Sequence, residues 1–270
     1  MARFKLFIEY EGTRYRGWQV QKNVRTVQGE LIAAATKVFK TDACEIHGAG
    51  RTDAGVHALE QIAHLDVETM LAPEIIRMKL NDELPPDINL LEVEKASKDF
   101  HARHDAIART YLYQIARRRT AFGKRYVWWI KDILNVGAMK EASTLFSGMN
   151  NLQSFTDDES DEKSTEVKID EIEMGEFDEL ILIRIRGSHF LWKLVRRIVG
   201  VLTEAGRGTL TRRDVEEYIR TKSDAPARLT APPSGLFLEK IHYSMDEHVR
   251  ALQPAVPVSS FTHHHHKPRR

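Results

Sequence analysis

The residues best suited to chemistry in this sequence lie in one glycine-rich stretch, residues 48–58. Three glycines among its first eight residues exclude a stable helix or an ordinary strand interior, and they indicate an irregular loop whose backbone can approach a ligand closely. The loop carries Thr52 and His57, and it sets the guanidinium of Arg51 two positions from the carboxylate of Asp53. A carboxylate presented by such a loop is a candidate catalytic group.

The segments on either side of this loop are expected to position it. Residues 43–47 and 61–67 read as short strands, and a polar loop between two strands commonly holds a catalytic group on a rigid scaffold. An ordinary hairpin is the alternative, since Asp and Gly are turn formers. The stretch is not a phosphate-binding Walker loop, because Lys-Ser/Thr is missing after its last glycine. It is not a dinucleotide-binding fingerprint either, because no helical pattern opens directly after the glycines.

Periodicity along the rest of the chain predicts an α+β fold. Alternating apolar residues predict strands that helices do not always separate, so antiparallel pairing is expected. Apolar residues at helical spacing predict helices, and Thr26 and Thr211 have the character of helix N-caps. The predicted strands cover residues 4–10, 43–47, 61–67, 88–93, 108–115, 179–187 and the end of 231–241. The predicted helices cover residues 27–40, 73–80, 136–148, 191–205 and 214–220.

Charge is distributed unevenly along the 270 residues, although the net charge is only +1. A near-neutral chain is not a typical basic RNA-binding protein, but a basic face on it would still bind phosphates in a salt-dependent way. Taken alone, Arg196 and Arg197 are typical of solvated surface charges, and the acidic run 157–162 is predicted to be a solvated loop. The basic clusters are Arg117–Arg119, Lys124–Arg125, Lys193 with Arg196–Arg197, and Arg207 with Arg212–Arg213.

The remaining composition bears on location. One cysteine, Cys44, excludes an intrachain disulfide and fits a reducing cytosol, where a buried inert thiol is expected. No run of 18 apolar residues predicts a transmembrane helix, and residues 1–4 lead into a strand pattern without an apolar signal region. Residues 246–270 lack periodicity and are predicted to be a disordered tail. Its His263–His266 run is an added tag or natural sequence, with no second anchor for a metal.

Residues 50–57, Gly-Arg-Thr-Asp-Ala-Gly-Val-His, resemble the signature loop of the TruA-type tRNA pseudouridine synthases. Other segments resemble further motifs of that family, so the resemblance covers residues 3–243. They are Tyr10-x-Gly12 with Gly17-Trp18-Gln19, Phe100-x-Ala102-Arg103, Arg109-x-Tyr111-x-Tyr113, Phe190 to Gly200, and Ala231 with Gly235-Leu236-x-Leu238. Leu194 stands where the family usually has Met, which conserves volume. The stretch after Phe155 is acidic, whereas members of the family usually carry Ser/Thr and Arg there. The resemblance therefore does not imply RNA contacts for this stretch.

The resemblance assigns roles to four residues. It implies that Asp53 is the catalytic residue and that Arg196 pairs with it, keeping the carboxylate charged and oriented. It implies that Tyr111 stacks on the extracted base and brings a phenol near C5 of the uracil. Arg51 is expected to fill the space that the base vacates or to hold a phosphate, since a uridine in a stem must leave its stack before Asp53 can reach it.

The resemblance also implies a reaction, a partner and an architecture. Uridines 38, 39 and 40 in the anticodon arm of tRNA would be converted to pseudouridine without cofactor or metal, by attack of the Asp on the base or by elimination through a glycal. The implied protein is a cytoplasmic homodimer that binds neither DNA nor a membrane. Two similar halves, residues 1–103 with the catalytic loop and residues 104–245, would form one continuous, mostly antiparallel sheet flanked by helices.

Two alternatives remain open from the sequence. One is a non-catalytic RNA-binding homologue that uses the same basic and aromatic residues. The other is a related synthase that acts on other positions of tRNA or on other RNAs. The presence of Asp53, Tyr111 and Arg196 together favours an enzyme over the binding module.

Overall fold

The computed structural model describes residues 1–157, 164–245 and 250–259. Over these residues, ten strands form one mixed sheet that helices flank, which confirms the predicted α+β class and the mostly antiparallel pairing. The strands are β1 (Ala2–Tyr10), β2 (Glu45–Gly48), β3 (His57–Val67), β4 (Ile88–Ala96), β5 (Ala108–Ala116), β6 (Trp128–Trp129), β7 (Gly148–Asn151), β8 (Glu166–Phe177), β9 (Leu180–Gly187) and β10 (Leu236–His242). The helices are α1 (Val27–Phe39), α2 (Pro73–Glu83), α3 (Val136–Ser143), α4 (Leu194–Arg207), α5 (Arg212–Arg220) and α6 (Ala225–Arg228).

The order of the strands brings distant parts of the chain together. The sheet runs β4-β1-β3-β10-β5-β9-β8-β7, with β2 beside β3 and β6 beside β5. The last strand, β10, lies at the centre, where it pairs parallel with β3 and antiparallel with β5. Because β3 follows the glycine-rich loop and β5 carries Tyr111, this arrangement places the loop and the tyrosine near each other.

Local signals in the sequence define several helix ends as predicted. Thr26 caps α1, accepting a hydrogen bond from the Gly29 N–H at 3.2 Å. Thr211 and Asp214 form a reciprocal capping box at the start of α5. Helix α4 begins three residues later than predicted, because Lys193 has a left-handed backbone with φ of 61°. The residues before it lie outside the helix, where Phe190 and Leu191 still pack against the main core.

Strand β8 is not among the predicted strands, and the pairing with β9 shows why. The register shifts between Ile169 and Glu171. Before this irregularity the buried positions are Val167 and Ile169, and after it the inward positions are Ile172 and Met174. A bulge of this kind changes the parity of the alternation, so no single period-two pattern runs through the segment.

Both faces of the central strands are covered. On β5, Tyr111 and Tyr113 belong to the main core, whereas Leu112 belongs to a second apolar cluster on the opposite face. Leu252 and Val258 complete this second cluster. Residues 250–259 therefore pack on the sheet, which differs from the expected disorder of the tail. The remainder of that tail, including the His263–His266 run, lies outside the described residues.

Candidate active site

The glycine-rich loop is held by the backbone of residues 12–18. The Trp18 N–H donates to the Thr52 carbonyl at 3.1 Å, and the Gly55 N–H donates to the Tyr15 carbonyl at 3.3 Å. Gly17 has φ of +94°, and a Cβ there would lie 2.5 Å from the Thr52 oxygen. Only glycine combines this conformation with so close an approach. The loop is thus fixed from both sides before any substrate binds.

Side chains from the same region complete this support. A Cβ at Gly12 would overlap the Val56 carbonyl, and the Gly12 N–H donates to His57 Nδ1 at 3.0 Å. Tyr10 Oη and Thr52 Oγ1 are 2.8 Å apart within the core. Burial lowers the pKa of His57, so its ring is neutral and can accept the Gly12 hydrogen bond. His57 is therefore a structural residue of the loop.

Asp53 and Arg196 are brought together although 143 residues separate them. Arg196 Nη1 donates to Asp53 Oδ2 at 3.1 Å, and Arg196 Nε donates to the Ala231 carbonyl at 2.7 Å. The side chains of Asp53 and Arg196 are 24% and 14% exposed. Within the described residues, Asp53 Oδ1 accepts no hydrogen bond. One carboxylate oxygen is thus held by the guanidinium and the other is available to a substrate.

Tyr111 lies beside this pair on β5, and it is 8% exposed. Its ring meets Phe190 edge-on, with ring centroids 5.0 Å apart. Burial raises the pKa of Tyr111 to about 12, Arg109 opposes the rise, and the charge of Asp53 adds to it. The phenol is therefore protonated at neutral pH, where it can stack and hydrogen-bond but does not act as a preformed base.

Arg51 lies apart from the Asp53–Arg196 pair. It is exposed, and its Nε donates to Gln19 Oε1 at 3.1 Å. The structure therefore places Arg51 on the rim of the loop, while Asp53, Tyr111 and Arg196 form the centre.

Arg109 is a residue of the site to which the sequence analysis gives no role. Its guanidinium donates to four carbonyl oxygens, those of Ala106 at 3.0 Å, Ser188 at 2.9 Å, Ala49 at 3.3 Å and Arg103 at 3.0 Å. It thereby ties the glycine-rich loop to the end of β9 and to the segment before β5. Burial lowers the pKa of Arg109 from its usual value. The one available signal was its position in the Arg-x-Tyr-x-Tyr motif.

The expectation that Arg196 and Arg197 are solvated charges is wrong. Arg197 is 3% exposed and forms an ion pair with Asp157, to which Lys193 also donates at 2.9 Å. The hydrogen bond from Lys193, followed by that from Arg197, lowers the pKa of Asp157. Asp157 is thus engaged in ion pairs, although its side chain remains 36% exposed. Residues 158–162 of the acidic run lie outside the described residues.

Other predicted basic clusters are also partly engaged in ion pairs. Arg117 pairs with Glu176 on β8, and Arg207 pairs with Asp132 at 2.7 Å. Acidic side chains of the same chain partly neutralise these charges. The clusters therefore present less positive charge to a ligand than their numbers of Lys and Arg residues suggest.

Residues 1–157, 164–245 and 250–259 contain no group of three or more His, Cys, Asp or Glu side chains arranged to hold a metal ion. In the same ranges, no helix has the length and apolar character needed to cross a membrane.

Asp53 on the glycine-rich loop and Arg196 on α4 thus form one site with Tyr111 on β5. Comparison with known proteins identifies the family. A family model described as tRNA pseudouridine synthase matches residues 6–105 and 142–244. The chain belongs to this family.

Individual relatives agree with the family model over nearly the full length. The chain is 39% identical over 246 residues to tRNA pseudouridine synthase A of Rhodopseudomonas palustris, and 37% identical over 246 residues to that of Parvibaculum lavamentivorans. Each alignment spans 90% of this chain and 100% of the relative. The protein of the same name from Bacteroides thetaiotaomicron is 38% identical over 250 residues, covering 91% of this chain and 92% of the relative.

Proposed function

We propose that this protein isomerises uridine to pseudouridine at positions 38, 39 and 40 in the anticodon arm of tRNA, with Asp53 as the catalytic residue. The observation that carries the proposal is the contact between Asp53 Oδ2 and Arg196 Nη1 at 3.1 Å. It joins the two motif residues that the family resemblance pairs, and it leaves Asp53 Oδ1 without a hydrogen bond from any described residue.

The reaction needs no oxidant, reductant or water, because the product is an isomer of the substrate. The bond from N1 of uracil to C1′ of the ribose breaks, and a bond from C5 to C1′ forms after the base rotates. N1 gains a proton and C5 loses one, so the atoms balance. No cofactor is required, and the work of the protein is to hold the base and supply a charged carboxylate.

The residues of the site divide this work. Asp53 attacks the base or removes a proton from the ribose, and its free oxygen serves in either scheme. Arg196 balances the carboxylate charge and fixes its direction, which lowers the cost of keeping a partly buried anion. Tyr111 provides an aromatic face, supported by Phe190, for a base that has left its stack. Arg51, on the exposed rim, fills the vacated position in the RNA or holds a phosphate.

The test compares wild type with Asp53→Asn, which keeps the shape of the side chain and removes its charge. The assay is release of tritium from an unmodified tRNA transcript labelled at uracil C5. We expect nearly complete loss of release, with tRNA affinity within about twofold of wild type because Asp53 makes no phosphate contact. Asp66→Asn is a matched control on β3, since its carboxylate pairs with Arg3 outside the site. Substantial turnover by Asp53→Asn would refute the assignment.

The same assay separates an enzyme from a binding module. Wild-type protein that binds tRNA but releases no tritium from any transcript, while mapping finds no pseudouridine in the product, would favour the non-catalytic alternative. Release at a uridine outside positions 38–40 would keep the chemistry and correct the target.

We also propose that the protein is a cytoplasmic homodimer. The resemblance to the family supports the dimer, and exposed apolar side chains, including Phe122 and Ile133, provide surface that a subunit interface can cover. The single cysteine, Cys44, accords with a reducing compartment. Sedimentation equilibrium at several concentrations tests the dimer, and fractionation of cells tests the location.

A further inference from the structure

An open groove of about 530 Å³ lies against the glycine-rich loop. One wall is formed by Ala54 and Gly55, which directly follow Asp53 in the chain. Three arginines, Arg14, Arg16 and Arg25, also line the groove. No step of the isomerisation described above uses this groove.

The groove offers two cations that have no side-chain partner among the described residues. Arg14 and Arg16 are exposed, and neither side chain forms a hydrogen bond or an ion pair with any described residue. Arg25 differs from them, because its Nε pairs with Glu30 at 2.6 Å and its guanidinium lies 4.7 Å from the centre of the Tyr15 ring. Arg25 thus shapes the wall, and Arg14 and Arg16 supply a surplus of two positive charges.

The backbone of the groove is fixed in advance. Arg16 N–H donates to the Arg25 carbonyl at 2.9 Å, and Gly55 N–H donates to the Tyr15 carbonyl at 3.3 Å. Tyr15 is 2% exposed, and its phenol donates to Asp87. A ligand in the groove would therefore meet two exposed cations whose backbone is attached through hydrogen bonds to the loop that presents Asp53.

We propose that this groove binds phosphodiester groups of the RNA strand next to the target uridine. The inference rests on the proposed function, since that function places an RNA strand at Asp53. Ala54 and Gly55 directly follow Asp53 and line the groove, so phosphates next to a nucleotide bound at Asp53 would come within reach of it. Arginine is well suited to phosphate, because its planar guanidinium donates two parallel hydrogen bonds to it. Contacts of this kind position the backbone without reading the bases.

The first test measures tRNA binding by Arg14→Gln/Arg16→Gln at several salt concentrations. Each lost phosphate contact should make the slope of log affinity against log salt shallower by about 0.7 to 0.9. We expect affinity on the order of tenfold weaker and a turnover rate at saturating tRNA within about twofold of wild type. Arg77→Gln/Lys79→Gln on α2 is the matched control, because it removes two exposed charges outside the groove.

Lysine at positions 14 and 16 keeps the positive charge but lacks the two parallel donors of a guanidinium group. Arg14→Lys/Arg16→Lys should recover most of the salt slope but only part of the affinity. A slope and an affinity for Arg14→Gln/Arg16→Gln equal to those of the control pair would overturn the proposal.

The second test locates the phosphates. Single neutral methylphosphonates are placed next to the target uridine in an anticodon stem-loop. One or two positions should weaken wild-type binding severalfold and should have no further effect on Arg14→Gln/Arg16→Gln, because the same contact is already lost. Additive losses at every position would refute the groove as their binding site.

These binding measurements require no turnover, so they separate the groove from the proposed reaction. An Asp53→Asn protein that still isomerised uridine would refute the catalytic assignment and leave the groove result standing. Uridine monophosphate is the probe for a small anion. Its binding to wild type, lost in Arg14→Gln/Arg16→Gln while tRNA affinity is unchanged, would assign the groove to a free nucleotide and overturn the RNA proposal.

Discussion

Arg196 makes two directed contacts, and a substitution that removes them tests the reasoning about the site most directly. Its Nη1 contacts Asp53 Oδ2 at 3.1 Å, and its Nε contacts the Ala231 carbonyl at 2.7 Å. The Ala231 N–H returns a hydrogen bond to the Arg196 carbonyl at 3.0 Å. The guanidinium is therefore held in one orientation by the segment before β10, and that orientation fixes Asp53.

The size of the effect follows from the distance and the partial burial. Opposite charges at this separation attract by about 5 kcal/mol at an effective dielectric constant of about 20. The exposed fractions of 14% and 24% for Arg196 and Asp53 allow water to screen part of this attraction. We take about 3 kcal/mol as the part of the attraction between Arg196 and Asp53 that remains after this screening. Its loss in Arg196→Ala corresponds to a rate decrease of ~10²-fold. Arg196→Lys keeps the charge but has a single nitrogen for two acceptors, so we expect a loss of about tenfold.

Single-turnover tritium release at saturating tRNA measures this loss, and thermal melts establish that each variant is folded. Guanidinium ion at low millimolar concentration should restore part of the rate of Arg196→Ala, because it can enter the space left by the side chain. Arg228→Ala on α6 is the control, since Arg228 is exposed and has no contact with Asp53. A folded Arg196→Ala protein that keeps a rate within about threefold of wild type would show that Asp53 needs neither the charge nor the orientation.

Three further predictions concern residues around the loop. Tyr111→Phe keeps the ring against Phe190 but removes the phenol, so turnover should fall about tenfold or more while tRNA affinity stays within about twofold. Gly17→Ala places a Cβ 2.5 Å from the Thr52 oxygen at φ of +94°, and urea unfolding should show a loss of about 2 kcal/mol or more together with reduced turnover. Burial lowers the pKa of His64 to about 4 in the folded state. Below the ordinary pKa of 6.5 the unfolded state therefore binds more protons than the folded state, and the free energy of unfolding decreases as the pH is lowered. The expected loss in the free energy of unfolding between about pH 8 and pH 5 is about 2 kcal/mol. Urea titrations at the two pH values should show this loss for wild type, and a loss smaller by that amount for His64→Asn.

The elements most predictable from the sequence are those whose signals are local. The caps at Thr26 and Thr211 are confirmed, because a cap depends on hydrogen bonds within one turn. The strand predicted over residues 108–115 is also present, and it directs Tyr111 and Leu112 to opposite sides of the sheet because alternation is a property of the strand itself. Strand β8 was not predictable in this way, because its bulge interrupts the alternation of buried and exposed residues.

The partners of charged side chains were much less predictable. Nothing in the residues around Arg197 indicates that Asp157 will neutralise it, since the two are 40 residues apart and meet only through the tertiary fold. The same holds for the contact between Asp53 and Arg196, which the sequence suggested through the family resemblance alone. Spacing along a chain determines charge density, but only the fold determines which charges remain unpaired.

The segment before α1 shows how one stretch can serve both structure and recognition. In the sequence, this segment carries one of the motifs on which the family resemblance depends. In the fold, the buried Gly12, Tyr15 and Gly17 support the glycine-rich loop, while the exposed Arg14 and Arg16 face the groove. The first group cannot change without moving Asp53, whereas the second can change without disturbing the core. Substitutions of the buried residues should therefore lower both stability and turnover. Substitutions of Arg14 and Arg16 should lower only the affinity for RNA.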